Sequence, residues 1–318
     1  MARILTLTLN PALDLTLRLE RLDAGQVNRC LEQASHAAGK GLNVAQVLAD
    51  LGHELTVSGF LGADNAAAFE ALFARRGFVD GFVRVPGETR SNIKLAEADG
   101  RMTDINGPGP AVGAVAQAEL LFRLDSLAPG HDLVVVAGSL PRGVEPHFLT
   151  DLITRLKGHG LKVALDTSGE ALRAGLLAAP WLIKPNTDEL AEIGRRALAS
   201  VEAQHEETRQ LLAIGIEHIV ISQGADGVNW FGPGIALHAQ PPQVTVASTV
   251  GAGDSLLAGM VHGLLSGWPT LHTLRHATAI AAQAVTQVGF GINDAMQLQQ
   301  LESAVLVQAL PEQQEVPR

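Results

Sequence analysis

Ser248-Thr249-Val250-Gly251-Ala252-Gly253-Asp254-Ser255 is the part of the chain richest in potential chemistry. A β-branched run from Val244 to Val250 feeds a glycine turn, and the apolar stretch Leu256-Leu257-Ala258-Gly259 follows as a helix start. A strand, a glycine turn and a helix start together make an anion site, because free backbone N–H groups and the positive helix end converge there. Gly251 and Gly253 let the backbone come close to a phosphate. Asp254 stands at the mouth of this cradle, where a carboxylate without a chemical task would only repel the ligand. A general base for a hydroxyl attacking phosphorus belongs there. The competing reading is an ordinary helix N-cap, for which Asp is a favoured residue.

Other polar groups gather where predicted strands end, the place where open α/β sheets bind ligands. Asn10-Pro11-Ala12-Leu13-Asp14 offers a carboxylate that accepts from sugar hydroxyls or closes a turn. Ala37-Ala38-Gly39-Lys40-Gly41-Leu42-Asn43 puts glycines around a lysine just before a helix, which suits a phosphate or a polyol. It lacks the four-residue gap and the Lys-Ser/Thr pair of a Walker loop. In Thr89-Arg90-Ser91-Asn92-Ile93-Lys94, Arg90 and Lys94 fall on one side of a strand. Ala137-Gly138-Ser139-Leu140-Pro141 closes an apolar strand with small residues and a hydroxyl. Asn186 and Glu189 read either as a capping box or as hard oxygen ligands for a hydrated magnesium. Ser222-Gln223-Gly224-Ala225-Asp226-Gly227 is either a hairpin or a loop against a nucleotide.

The elements that must carry these groups alternate. Strands are expected at Ile4–Leu9, Leu55–Phe60, Leu133–Ala137, Lys162–Asp166, Trp181–Lys184 and Ile219–Ser222. Helices are expected at Gly41–Leu51, Ala66–Arg76 ended by Gly77, Pro146–His159, Asp188–Leu198, Ser255–Ser266, Leu271–Val288 and Ala295–Val307. Such alternation implies a parallel sheet covered on both faces. Two stretches depart from it. Leu13–Leu22, with Leu15, Leu17 and Leu19 on one side and Thr16, Arg18 and Glu20 on the other, reads as an antiparallel strand with one exposed face. Thr89–Asp104, turning at Ala98-Asp99-Gly100, reads likewise, and both are assigned to a small sheet over an active site.

The 318 residues are 47% hydrophobic and 18% charged, a globular composition without a run of about 20 uncharged apolar residues. The net charge of −10 argues against a nucleic-acid partner, and no membrane association is expected. The N-terminus runs straight into a strand pattern without signal-peptide layout, and Cys30 is the one cysteine, so a reducing cytoplasm is expected. The histidines show no zinc spacing, and no Gly-x-Gly-x-x-Gly follows the first strand, which argues against a nucleotide-dependent dehydrogenase. The tail from Pro311 to Arg318 is polar and expected to fray.

In this order, Gly39-Lys40-Gly41-Leu42-Asn43, Lys184-Pro185-Asn186 with Glu189, Ser222 to Gly227 and above all Gly251-Ala252-Gly253-Asp254 resemble the ribokinase-like (PfkB) carbohydrate kinase family from end to end. Thr8-Leu9-Asn10-Pro11-Ala12-Leu13-Asp14, Thr89-Arg90-Ser91-Asn92, Ala137 to Pro141 and Ser248-Thr249-Val250 are similar to its phosphosugar branch. The resemblance implies an α/β ribokinase-like three-layer sandwich with a central, mostly parallel sheet and a small β-sheet lid. It implies one kinase domain over residues 1–318, with lid strands inserted at about 12–36 and 84–106.

The activity implied is transfer of phosphate from ATP, with Mg2+, to the 6-hydroxyl of D-fructose 1-phosphate. Tagatose 6-phosphate and fructose 6-phosphate are the rival acceptors, and a non-catalytic sugar-phosphate sensor is the rival class. By the same resemblance Asp254 is the base and the N–H groups of Gly251, Ala252 and Gly253 hold the transferring phosphoryl group. Asp14, Gly39 and Asn43 grip sugar hydroxyls, and Arg90 and Lys40, with Arg29 and Ser139, take the substrate's phosphate. Lys184, Asn186, Ser222, Gly224, Ala225, Gly227, Ser248, Thr249 and Val250 join the cradle in binding ATP, and Asn186 and Glu189 hold magnesium through water. Adenine falls between Ser222–Gly227 and the segment around Ala282–Gly289. Exposed lid strands want a partner, which points to a homodimer through the lid. Two departures stand out: Ala38 replaces the first glycine of a common Gly-Gly, and Ser248 replaces an Asp that helps hold a monovalent cation in many members, so the resemblance implies neither a potassium requirement nor its absence.

Overall fold

Along Leu133–Ala137 every residue is buried, and alternate side chains enter two different hydrophobic cores. Leu133, Val135 and Ala137 join one, Val134 and Val136 the other. A strand can do this only in the middle layer of a sandwich. The computed structural model, which describes residues 1–198 and 200–311, builds such a sandwich. Residues 312–318 of the polar tail lie outside the described residues.

The strands in chain order are β1 (Arg3–Thr8), β2 (Ala12–Leu19), β3 (Glu32–Ala38), β4 (Glu54–Gly62), β5 (Val79–Asp80), β6 (Val83–Val85), β7 (Arg90–Glu97), β8 (Met102–Asn106), β9 (Leu133–Ala137), β10 (Lys162–Asp166), β11 (Leu182–Ile183), β12 (His218–Ser222), β13 (Val228–Gly232), β14 (Ile235–Gln240) and β15 (Leu306–Ala309). The helices are α1 (Lys40–Asp50), α2 (Ala67–Arg76), α3 (Ala114–Leu127), α4 (His147–Gly158), α5 (Gly169–Leu176), α6 (Thr187–Gly194), α7 (Val201–Ala213), α8 (Ala252–Leu265), α9 (Thr270–Ala284) and α10 (Ala295–Ala304).

The main sheet runs β15-β14-β13-β12-β11-β10-β9-β1-β4-β5, with β6 also on β4. It is parallel from β5 to β12 and antiparallel beyond. Core residues of α1, α2, α8 and α9 cover one face and those of α3, α4 and α5 the other. From β1 the chain moves to β4 on one side and later to β9 on the other, so the strand order reverses beside β1. Ligand crevices of open α/β sheets form outside such a reversal. The second sheet, β3-β2-β7-β8, stands over it.

Four expectations need correction. Val244–Val250 is irregular: Ala247 and Ser248 give their N–H groups to the Val285 carbonyl at 2.7 and 3.2 Å rather than to a strand. β15 comes from residues expected to be helical: α10 stops at Ala304, and Leu306–Ala309 extends beyond it. The lid is not wholly antiparallel, since its central pair β2/β7 is parallel. α6 and α9 are shorter than expected: α6 stops at Gly194 before a left-handed Arg195, and α9 at Ala284 before a loop with Gly289 and Gly291 at positive φ. Ala38 is not among the residues with positive φ, so its Cβ carries no backbone penalty.

Candidate active site

Gly251 begins the site. It is the N-cap of α8 at φ 84, a conformation that favours glycine, and a Cβ there would come within 2.7 Å of the Phe290 ring. Ser255 closes the first backbone turn onto the Gly251 carbonyl at 2.8 Å, so the N–H groups of Ala252, Gly253 and Asp254 have no partner within the helix. The same construction occurs in α1, whose N-cap is Gly39 at φ 143. Asn43 in α1 donates its Nδ2 to Oδ2 of Asp254 in α8 at 2.8 Å and joins the two helix starts. Asp254 is thus the third residue of its helix and makes no capping hydrogen bond, which removes the N-cap reading.

Burial is the main influence on Asp254, which is 5% exposed, and the nearby charge of Asp166 adds to it. Together they push its carboxyl up to about 6, against the opposing pull of Lys40, the Asn43 hydrogen bond and Lys184. Asp166 ends β10 and is fully enclosed. Its Oδ1 accepts from Lys40 Nζ at 3.1 Å and its Oδ2 pairs with Lys184 Nζ at 3.3 Å. Burial alone would raise the Asp166 carboxyl, but Lys184 and Lys40 outweigh it and hold it below the ordinary carboxylate range. Burial would lower Lys40, and Asp166, with Asp254 behind it, keeps its ammonium above its usual value. One carboxylate at this floor is kept ionised and the other is raised toward neutrality, the separation that divides structural from proton-accepting work.

Two cavities meet over this floor. The smaller, of about 360 Å³, is lined by Asp254, Lys40, Asn43, Gly39, Asp166 and Lys184 below and by Asp14, Arg90, Asn92 and Lys94 above. The lid residues share one face because Ala12, Asp14 and Thr16 lie in register with Arg90, Asn92 and Lys94. The larger, of about 800 Å³, lies between Ser222, Gly224, Ala225 and Gly227 on one wall and Thr278, Ala281, Ala282 and Val285 on the other, with Thr249 and Ala252 at its end. Gly253 and Ser222 line both. A side chain at 253 would come within 3.2 Å of Lys184 Nζ, so glycine keeps the junction open.

Most expected residues therefore converge, but some lie elsewhere. Lys184, Asn186 and Val250, expected beside the nucleotide, line the smaller cavity, because it reaches up to the cradle. Arg29 sits in the exposed stretch between β2 and β3 and lines neither cavity. Ser139 also lines neither; its Oγ accepts from Asn10 Nδ2 at 3.1 Å. Ser248 is likewise off both linings, its Oγ accepting the Val250 N–H at 3.2 Å. Asn186 and Glu189 do form a reciprocal capping box at the start of α6, and they also face the smaller cavity. The segment after β12 is both hairpin and cavity wall. Sequence reasoning passed over Asp166, whose one signal was an acid closing an apolar strand. It also assigned no role to Asn92 or Lys94, though both stood in the lid motif.

A buried carboxyl raised to about 6 and a glycine-rich helix start, set where a small polar cavity opens into a larger one, fit a phosphotransferase that moves phosphate onto a hydroxyl. The chain belongs to the pfkB family of carbohydrate kinases, whose model matches residues 7–296, and kinases of this family use ATP. It is 46% identical over 308 residues to the 1-phosphofructokinase of Vibrio cholerae, covering 97% of each chain. It is 45% identical over 306 residues to that of Escherichia coli, covering 96% of this chain and 98% of the other. Among solved structures, phosphofructokinase-2 from Escherichia coli in complex with potassium superposes with a TM-score of 0.88 at 27% identity, over 96% of this chain and 99% of that one. No helix among the described residues is long and apolar enough to cross a membrane.

Proposed function

We propose that this chain transfers the γ-phosphoryl group of ATP to the 6-hydroxyl of D-fructose 1-phosphate, giving fructose 1,6-bisphosphate and ADP. The observation that carries the mechanism is Asp254, buried, raised to about 6 and placed beside the junction of the two cavities. The relatives named 1-phosphofructokinase support the choice of acceptor. The acceptor lies in the smaller cavity, with hydroxyls on Asp14, Gly39 and Asn43 and its phosphate near Arg90 and Lys40. The nucleotide lies in the larger one, its phosphates entering the Gly251–Gly253 cradle.

Asp254 takes the proton of the 6-hydroxyl as the new O–P bond forms and the bond to the leaving ADP oxygen breaks. The N–H groups of Ala252 and Gly253 and the ammonium group of Lys184 stabilise charge on the phosphoryl oxygens. Asp166 holds Lys40 and Lys184 in place. Mg2+, where bound, neutralises phosphate charge. Asn186 and Glu189 fit it through water rather than directly. Asn186 Oδ1 and Glu189 Oε2 already accept backbone N–H groups, and no cluster of three His, Cys, Asp or Glu suited to a metal occurs among the described residues. The whole chain works as one kinase unit with its lid, in the cytoplasm. Two copies meet through the outer lid face, where Leu15, Leu17 and Ile93 lie beside exposed Ile105.

Rates on fructose 1-phosphate, tagatose 6-phosphate and fructose 6-phosphate test the reading. Fructose 1-phosphate is expected to give the highest kcat/KM. A higher value for either rival overturns the acceptor, and nucleotide binding without turnover of any of them makes the chain a sensor.

A further inference from the structure

Asn92 lies on the inner face of the lid in register with Asp14, and its Nδ2 donates to Asp14 Oδ1 at 3.0 Å. That bond fixes the orientation of the amide. A carboxylate only accepts, so it must face the NH2 end, and the carbonyl oxygen is turned elsewhere. That oxygen is closed to water and no donor among the described residues reaches it. Lys94 Nζ lies 3.4 Å from Asp104 and 3.8 Å from Asp14, and Arg90 gives Nε and Nη2 to the carbonyls of Pro11 and Asn10. A buried acceptor without a donor is unfavourable, and Asn92 lines the smaller cavity, from which a ligand's donor can approach it.

The smaller cavity contains this arrangement twice. Asn43 gives its Nδ2 to Asp254 and leaves its own Oδ1 buried without a donor. Each amide–carboxylate pair offers its oxygens as acceptors beside the one N–H that its amide has left. Such a pair suits a hydroxyl, which donates one hydrogen and also accepts. At the lid, adjacent acceptors on Asp14 and Asn92 match adjacent hydroxyls of a sugar ring.

We propose that Asn92 is a specificity-determining residue, whose Oδ1 accepts a hydrogen bond from one ring hydroxyl while Asp14 accepts from its neighbour. This rests on the sugar-phosphate reading above and adds to it. An epimer at the carbon that Asn92 reads turns its hydroxyl to the other ring face, so it is poorly accepted even though its phosphate is unchanged.

A cycle between enzyme and substrate tests this. Wild type and Asn92→Ala are each assayed with fructose 1-phosphate and with its 3-deoxy and 4-deoxy analogues. With the full substrate, Asn92→Ala is expected to raise the phosphosugar KM about tenfold, with the ATP KM unmoved. With the one analogue that lacks the hydroxyl in question, the difference between the two enzymes should shrink to within about twofold, because the bond is already gone. If the tenfold difference persists with both analogues, Asn92 reads neither hydroxyl and the assignment falls, while the activity on fructose 1-phosphate stands. Asn92→Thr, which suits a strand, replaces the alanine variant should that fail to fold. If wild type turns over no phosphosugar, the proposed activity falls, and the same cycle on calorimetric Kd values decides Asn92. Absence of phosphosugar binding overturns both.

Discussion

The floor and the roof of the smaller cavity are built on opposite principles. The floor is buried charge: Asp166 and Asp254 are enclosed, Lys184 is 5% exposed, and each ionisable group is shifted or held by another. The roof is less enclosed than the two buried aspartates, with the Asp14 and Lys94 side chains 13% and 15% exposed, and its polar groups sit on a four-stranded sheet whose outer strands are largely exposed. Buried charge raises proton affinity and sharpens electrostatics, which serves a chemical step. A less enclosed polar face serves recognition, because it contributes oriented hydrogen bonds without fixing the ligand's reactive end. Floor substitutions should therefore change kcat and its pH dependence, and roof substitutions should change KM.

Asp254→Asn carries the largest expected effect. It cannot accept the proton, so kcat should fall by about 10²–10⁴-fold with nucleotide binding retained. Near-normal kcat would place the base elsewhere. The stability effect has the opposite sign. The folded-state value of about 6 lies above the ordinary 3.8, so the stabilisation belongs to the protonated form. It is complete below about pH 4 and is lost as pH rises through 6. The Asn variant should thus melt above wild type at pH 8, with the gap closing toward pH 4 in thermal scans. Arg90→Ala comes next: an expected rise in phosphosugar KM of about 10- to 150-fold with the ATP KM steady, since charge-assisted hydrogen bonds contribute about 1.5–3 kcal/mol. A fall in ATP affinity instead would move Arg90 to the floor's side of the comparison.

Wild-type kcat should lose about tenfold per pH unit below about 6 as Asp254 takes up its proton, read from a pH–rate profile. A flat acid limb would break the link between burial and chemistry. The smallest effect on catalysis is expected from Ile93→Lys on the outer lid face, which should turn a dimer into a monomer in sedimentation while kcat changes little. A dimer that persists would put the interface elsewhere.

The floor was largely legible in the sequence and the roof only partly. Gly251, Gly253, Lys40 and Asn43 are separated in sequence but each stands in a local motif with its own glycines, and backbone geometry of that kind is local. The Asp166 pairing with Lys40 spans 126 residues and leaves no local trace beyond a carboxylate at a strand end. In the lid, alternation identified strands, yet it says nothing of direction, and the parallel β2/β7 pair went unread for that reason. The run Val244–Val250 had the right composition for a strand, but Ala247 and Ser248 give their N–H groups to the Val285 carbonyl after α9 instead of to a ladder. Arg29 and Ser139 were placed by resemblance alone, and neither reaches a cavity lining.

The parallel pairing of β2 with β7 also sets the order in which the molecule assembles. Asp14 and Asn92 meet across 78 residues, and everything between them includes α1, β4 and α2. The root of β7 is tied to the end of β4, where Gly62 N–H bonds Thr89 Oγ1 at 2.8 Å. β2 leaves directly from β1, and β1 pairs β4. Closing so long a loop is entropically unfavourable until β1 and β4 have brought its ends together. The lid therefore zips up late in folding and opens early under native conditions, so its amides should exchange with solvent well before those of β9 and β10.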